Sequence, residues 1–154
     1  MSGIVVVSGN PRTGSRTATL AAAVGQALGG AAATIEVGDL GPGLLTPGDE
    51  ATAAAVTLLR EAEVLVVATP TYKGSYTGVL KVLLDQLPSN ALAGKRAVPV
   101  VTAGIAPQAS AAAALLAQLL TELGATVAPA LSVVEADLPE SEAIAEKYAS
   151  VYGG

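Results

Sequence analysis

The residues with the clearest chemical capacity lie between positions 8 and 17, Ser8-Gly9-Asn10-Pro11-Arg12-Thr13-Gly14-Ser15-Arg16-Thr17. They follow an apolar run, Ile4-Val5-Val6-Val7, and precede an Ala- and Leu-rich segment of helical composition. A buried strand that ends in a polar, glycine-containing loop and opens a helix brings backbone N–H groups to a common point, where an anion is stabilised. Arg12 and Arg16 add positive charge there, and Ser8, Thr13, Ser15 and Thr17 add hydroxyl donors. The chemistry predicted is the holding of a phosphate. Ser15 also suits the N-cap of the helix, a role compatible with a phosphate contact.

Two further segments carry side chains of similar kind. One is Thr69-Pro70-Thr71-Tyr72-Lys73-Gly74-Ser75-Tyr76-Thr77-Gly78, and the other is Thr102-Ala103-Gly104-Ile105-Ala106-Pro107. Each follows an apolar, β-branched run. The first offers Tyr72, Lys73 and Tyr76; the second offers small residues and free backbone. A phosphate joined to a flat, partly polar ring fits the three loops together. The phosphate would lie on the first loop and the ring against Tyr72 and main chain. FMN has this shape.

The elements that must position these loops follow from the hydrophobic pattern. Strand-like runs occur at 3–7, 34–37, 64–69, 97–102 (with Pro99 inside) and 126–134 (interrupted by Pro129). Continuous Val/Ile/Leu runs suit strands buried on both faces, as in parallel sheets. Helical segments are expected at 15–28, 47–63, 75–87, 107–123 and 139–152, several of them bounded by Gly or Pro. Strict alternation of strand and helix predicts an α/β, doubly wound sheet with helices on both faces. Five parallel strands in the flavodoxin-like order 2-1-3-4-5 suit it best, with ligands at the carboxyl ends of the strands, near the switch between strands 1 and 3. The stretch 38–48 is rich in Gly and Pro and reads as a mobile loop. Lys81 and Asp85 are spaced for a surface i,i+4 ion pair. Asp137, Glu140 and Glu142 read as a solvated turn and helix start.

Composition narrows the chemistry. The chain has 154 residues, which suits one domain over 1–154. It has no His and no Cys, so Ser–His–Asp catalysis, thiolate nucleophiles, disulfides and His/Cys metal sites are excluded; no metal is expected. Eight basic residues and a net charge of −5 argue against nucleic-acid binding. No apolar run reaches the roughly 20 residues of a membrane span, and no signal peptide is visible, so a cytoplasmic location without membrane attachment is expected.

The loop at 8–17 resembles the phosphate loop of the NADPH-dependent FMN reductases, which favour Gly-Ser-x-Arg-x-x-Ser-x-Asn/Thr. Gly9, Arg12, Ser15 and Thr17 match, and Asn10 stands where Ser is usual. The stretch from Pro70 through Tyr72, Lys73, Gly74 and Gly78 to Asp85 looks like the family's second motif, and Leu92-Ala93-Gly94-Lys95 and Thr102-Ala103-Gly104 extend the match. The alkanesulfonate-type two-component reductases are the nearest subgroup. The resemblance implies hydride transfer from NADPH or NADH to FMN, performed by the flavin with no catalytic side chain. Arg12, Ser15 and Thr17 would bind the phosphate, helped by Asn10 and, from the residues themselves, Ser8 and Arg16. Pro70, Thr71, Tyr72 and Lys73 would line the ring, with Gly104 and Ile105 at its pyrimidine end, and Gly74 and Thr102 are further candidate cofactor contacts. It also implies a homodimer or homotetramer and a flavin-dependent monooxygenase as a partner. The subgroup often inserts an aromatic in the helix after strand 4. Ser110-Ala111-Ala112-Ala113-Ala114-Leu115 has none, which points to FMN retained by the protein. The alternatives are a flavodoxin-type electron carrier and a flavin-free, non-catalytic relative. Arg12 in the loop and the scarcity of aromatics favour the reductase over the carrier.

Overall fold

The computed structural model describes residues 3–153. Its strands are β1 (Ile4–Ser8), β2 (Ala33–Glu36), β3 (Val64–Pro70), β4 (Arg96–Ala103), β5 (Thr126–Val127) and β6 (Leu131–Val134). Its helices are α1 (Arg16–Ala27), α2 (Glu50–Glu61), α3 (Gly78–Leu84), α4 (Ala106–Glu122) and α5 (Ser141–Tyr152). All the strands join one parallel sheet in the order β2-β1-β3-β4-β5, with β6 also on β4, which bears out the flavodoxin-like order.

Alternation along the central strands builds two cores. Val5 and Val7 of β1, with Leu65, Val67 and Val101, pack against α2, α3 and α4 through Leu59, Leu80, Leu83, Leu116 and Leu120. Ile4 and Val6, with Val66, Ala68, Val98 and Val100, pack against α1 and α5 through Leu20, Val24, Ala145 and Tyr148. A parallel strand covered on both faces can alternate apolar with apolar, which explains the unbroken Val runs.

The expected single strand at 126–134 is two strands. β5 pairs with Arg96 and Ala97, and β6 pairs with Val100 to Ala103. The gap coincides with Pro129 on one side and Pro99 on the other. Ala97 O accepts from Ala128 N at 2.8 Å, so Pro99, two residues on, directs its nitrogen toward the same neighbour. A proline has no N–H to donate, and the pairing lapses there. Tyr148 of α5 closes the defect by donating its hydroxyl to Pro129 O at 2.6 Å.

Residues 38–48 also differ from expectation. Val37–Leu45 folds as a 3-10 segment with a break at Gly41, and it buries Val37 and Leu44 in the core. The helix starts shift inward to side-chain caps: Ser15 for α1, Asp49 for α2 and Thr77 for α3. The i,i+4 pair forms as expected, with Lys81 Nζ 2.7 Å from Asp85 Oδ1; the hydrogen bond to Asp85 raises the lysine pKa. Among the described residues, no helix is long and apolar enough to cross a membrane.

Candidate functional site

The carboxyl edge of the sheet opens into a cavity of about 460 Å³. It is lined by Asn10, Arg12, Thr13, Gly14, Ser15, Arg16 and Thr17 of the β1–α1 loop and helix start. Pro70 and Tyr72 come from the end of β3, Thr102 from β4, and Glu135 and Leu138 from the turn after β6. Four chain segments, separated by up to 128 residues, therefore meet at one place.

The β1–α1 loop is shaped by its own polar groups. Asn10 Oδ1 accepts from Arg12 N at 2.8 Å, which curls the chain after Gly9. Asn10 thus commits its oxygen to the loop and keeps its amide nitrogen for a ligand. Ser15 Oγ accepts from Ala18 N at 3.1 Å and caps α1, which leaves the hydroxyl proton free to be donated elsewhere. Thr17 and Thr102, both buried, bring their hydroxyls within 3.1 Å and tie the first turn of α1 to β4. Arg12 is exposed at the rim. Arg16 reaches Glu135 at 3.7 Å with both side chains more than half exposed. Such a pair stabilises by well under about 1 kcal/mol, so a stronger anion can displace the carboxylate.

A buried link joins this loop to the next. Thr77 Oγ1 donates to Gly9 O and accepts from Leu80 N, while Thr77 N donates to Thr69 Oγ1 at 3.1 Å. Between Thr69 and Thr77 the chain makes a tight hairpin: Tyr72 N donates to Ser75 O at 2.9 Å and Ser75 N to Tyr72 O at 3.2 Å. Both central residues have positive φ, 53° at Lys73 and 80° at Gly74, the signature of a two-residue primed turn. Glycine adopts this at no cost, whereas Lys73 holds it against its own Cβ. The hairpin sets Tyr72 at the cavity wall, 44% exposed.

Eight of the fourteen residues expected at the site line the cavity: Asn10, Arg12, Ser15, Arg16, Thr17, Pro70, Tyr72 and Thr102. The other six are not among its lining residues. Thr71 donates to Thr102 O at 2.9 Å and fastens the β3 end to β4. Lys73 and Gly74 form the tip of the hairpin. Gly104 and Ile105 sit on the exposed β4–α4 connection, where Ile105 precedes α4. Ser8 is fully buried at the end of β1, and its Oγ has no hydrogen-bond partner. An orphaned buried hydroxyl beneath an anion-type loop fits a site whose polar partners are completed by a ligand. Gly14, Glu135 and Leu138 line the cavity beyond the residues expected there, and Thr13 is expected only as a hydroxyl donor. Glu135 and Leu138 reach the site through β6, whose separate existence the sequence pattern hid. Their position just after a strand end is the signal that could have found them. Among the described residues, no group of His, Cys, Asp or Glu could hold a metal ion.

A doubly wound sheet with an anion-type loop after β1 and an aromatic hairpin after β3 defines the flavodoxin-like class of α/β proteins, with its site at the strand switch point. Within that class the chain belongs to the NADPH-dependent FMN reductase family, whose sequence profile matches residues 3–137. The FMN reductase (NADPH) of Escherichia coli K12 is 54% identical over 46 residues, and that of Pseudomonas putida KT2440 is 51% identical over 47. Each alignment covers 30% of this chain and only 24% of the relative. An NADH:FMN oxidoreductase, solved in its apo form, superposes with a TM-score of 0.81 at 33% identity, covering 97% of this chain and 89% of that one. The general stress protein 14 of Treponema denticola, solved with FMN, shares the fold at a TM-score of 0.70 and 19% identity, covering 96% of each chain.

Proposed function

We propose that this chain, taken as one domain over 1–154, is an NAD(P)H-dependent FMN reductase. The observation that carries the reading is the single cavity in which a hydroxyl- and arginine-bearing loop meets Tyr72 and Pro70 across the switch point. When bound, FMN supplies the ring that accepts a hydride from NADPH or NADH. The chain's residues supply binding and orientation. Arg12 and Arg16 offset the phosphate charge, and the Ser15 and Thr17 hydroxyls with the Asn10 amide give it directed donors. Arg16 would leave Glu135 for the phosphate. Thr102 and the orphaned Ser8 hydroxyl lie beneath. Pro70 and Tyr72 present apolar and aromatic surface to the ring, and Thr71 holds their segment against β4. Gly104 and Ile105, exposed just beyond Thr102 on the β4–α4 connection, would leave room for a nicotinamide to approach. Positioning two rings in contact is the catalytic contribution asked of the protein.

The finer parts of the reading rest on the resemblance to the two-component reductases. They are a homodimer or homotetramer, a flavin-dependent monooxygenase as the consumer of reduced flavin, and a cytoplasmic setting where reduced nicotinamide is available. Leu115, exposed on the Ala-rich outer face of α4, supports an interface between subunits.

The test is NADPH and NADH oxidation by the purified protein with and without added FMN, beside an FMN titration. Oxidation that requires FMN is the expected result. FMN binding without oxidation of either nucleotide would replace the reductase by an electron carrier. A protein that binds no FMN would leave the fold without this chemistry.

A further inference from the structure

The β1–α1 loop is held from its outer side by one short segment, Glu36-Val37-Gly38-Asp39, where β2 ends and the 3-10 segment begins. β1 and β2 leave the sheet together, with Ser8 in register with Glu36, so the two chains run on side by side. Three contacts follow. Glu36 Oε1 accepts from Gly14 N at 3.0 Å. Asp39 Oδ1 accepts from Thr13 Oγ1. Between them, the Gly38 backbone approaches so closely that a Cβ on residue 38 would lie 2.4 Å from Pro11 O and 3.0 Å from Asn10 O. Those are backbone atoms, which cannot swing aside as a side chain can. Val37, buried at 1% exposure, roots the segment in the core.

The charge of this segment is the wrong sign for attracting a phosphate. Glu36 and Asp39 add negative charge beside a loop whose cations are Arg12 and Arg16. What they supply is shape. They fix Thr13 and Gly14, the two residues between Arg12 and Ser15, and Gly38 fixes Asn10 and Pro11 just before them. A loop already held in its binding shape loses less conformational freedom when the ligand arrives.

We propose that Glu36, Gly38 and Asp39 are positioning residues that preform residues 10–15 for a phosphate and thereby set the preference for FMN over flavins that lack one. The proposal rests on the reading of the β1–α1 loop as the FMN phosphate loop. It predicts a loss confined to the phosphate end of the ligand. Riboflavin has the same ring and ribityl chain without the phosphate, so the ratio of FMN to riboflavin affinity reports on that end alone.

The experiment titrates FMN and riboflavin into the wild-type protein and into Gly38→Ala, Glu36→Ala and Glu36→Gln. Gly38→Ala should lower the FMN to riboflavin ratio by about tenfold or more as the new methyl displaces Pro11, and Glu36→Ala by about threefold to tenfold, the worth of one hydrogen bond. Glu36→Gln keeps an acceptor on Gly14 N and removes an anion, so the ratio should be unchanged or higher. A wild-type protein that does not prefer FMN overturns the phosphate-loop reading and the clamp with it. A wild-type protein that prefers FMN, with the ratio unchanged in Gly38→Ala and Glu36→Ala, overturns the clamp alone. Equal losses of both flavins in those two variants would also overturn it, by assigning the segment to fold stability. A Glu36→Gln protein as impaired as Glu36→Ala would overturn the role of the acceptor.

Discussion

The β1–α1 loop and the β3–α3 hairpin meet at the same cavity but are built on opposite plans. The first makes few bonds within itself beyond the Asn10 turn and the Ser15 cap, and it is held by neighbours: Thr77 at Gly9, Gly38 at Pro11, Asp39 at Thr13 and Glu36 at Gly14. The second is closed by its own paired backbone bonds between Tyr72 and Ser75, with Lys73 and Gly74 exposed at its tip. A loop fixed from outside keeps one shape for a ligand of one charge and size. The hairpin takes its shape from its own backbone bonds, and its two ends are tied to the rest of the fold by Thr71 at Thr102 O and Thr77 at Gly9 O. On the proposed function, the difference puts discrimination between ligands at the loop that would hold the phosphate.

The comparison can be broken most forcefully at Arg12. Arg12→Ala should weaken FMN binding by about 1.5–3 kcal/mol, the worth of a charged hydrogen bond, and leave riboflavin almost untouched. Equal weakening of both in a fluorescence titration would show that the loop does not read the phosphate. Thr77→Val removes the buried hydroxyl that joins the two regions and leaves Leu80 N and Gly9 O unpartnered. It should cost about 1–3 kcal/mol in denaturant unfolding. A smaller loss would mean that the loops are not coupled through it. Tyr72→Ala should weaken FMN and riboflavin alike by about 0.5–1.5 kcal/mol, since the ring contact precedes the phosphate in neither ligand's favour. Selective loss of FMN there would reverse the assignment of the two ends. Lys73→Gly is expected to be the mildest change. It relieves the positive φ at the hairpin tip, gives back some unfolded-state entropy, and should stabilise by about 0.5 kcal/mol or less with no change in the FMN to riboflavin ratio.

The architecture was legible because its signals are local. The Val runs, the glycine and proline stops and the strict alternation led to the sheet order, and a strand end followed by Gly, hydroxyls and Arg marked the main loop. What escaped depends on partners distant in sequence. Gly38 and Asp39 sit in a Gly- and Pro-rich stretch whose composition suggests motion, yet Val37 and Leu44 anchor it, and the two glycine hydrogens of residue 38 are what admit Pro11. Glu135 is separated from Arg16 by most of the chain and meets it only because β6 pairs in its own register on β4. Pro129 was visible as an interruption, but its counterpart Pro99 lies in a different strand, and only the pairing shows that the two breaks face one another. Lys73 reads as a ligand from its company in the motif. The hairpin geometry that carries it to the tip depends on signs of φ that a lysine gives no hint of.

The facing prolines have one more consequence, at the rim of the sheet. A long, flat outer strand offers a row of unpaired N–H and C=O groups on which another chain can add itself. Here that margin is a two-residue strand and a four-residue strand with a proline step between them, and the opposite margin, β2, has only four residues. Neither side gives an incoming strand a long, uninterrupted ladder. In a protein so rich in Val and Ala, such short margins work against sideways growth into fibrous aggregates, and on the β5–β6 side the proline step between the two strands supplies the break.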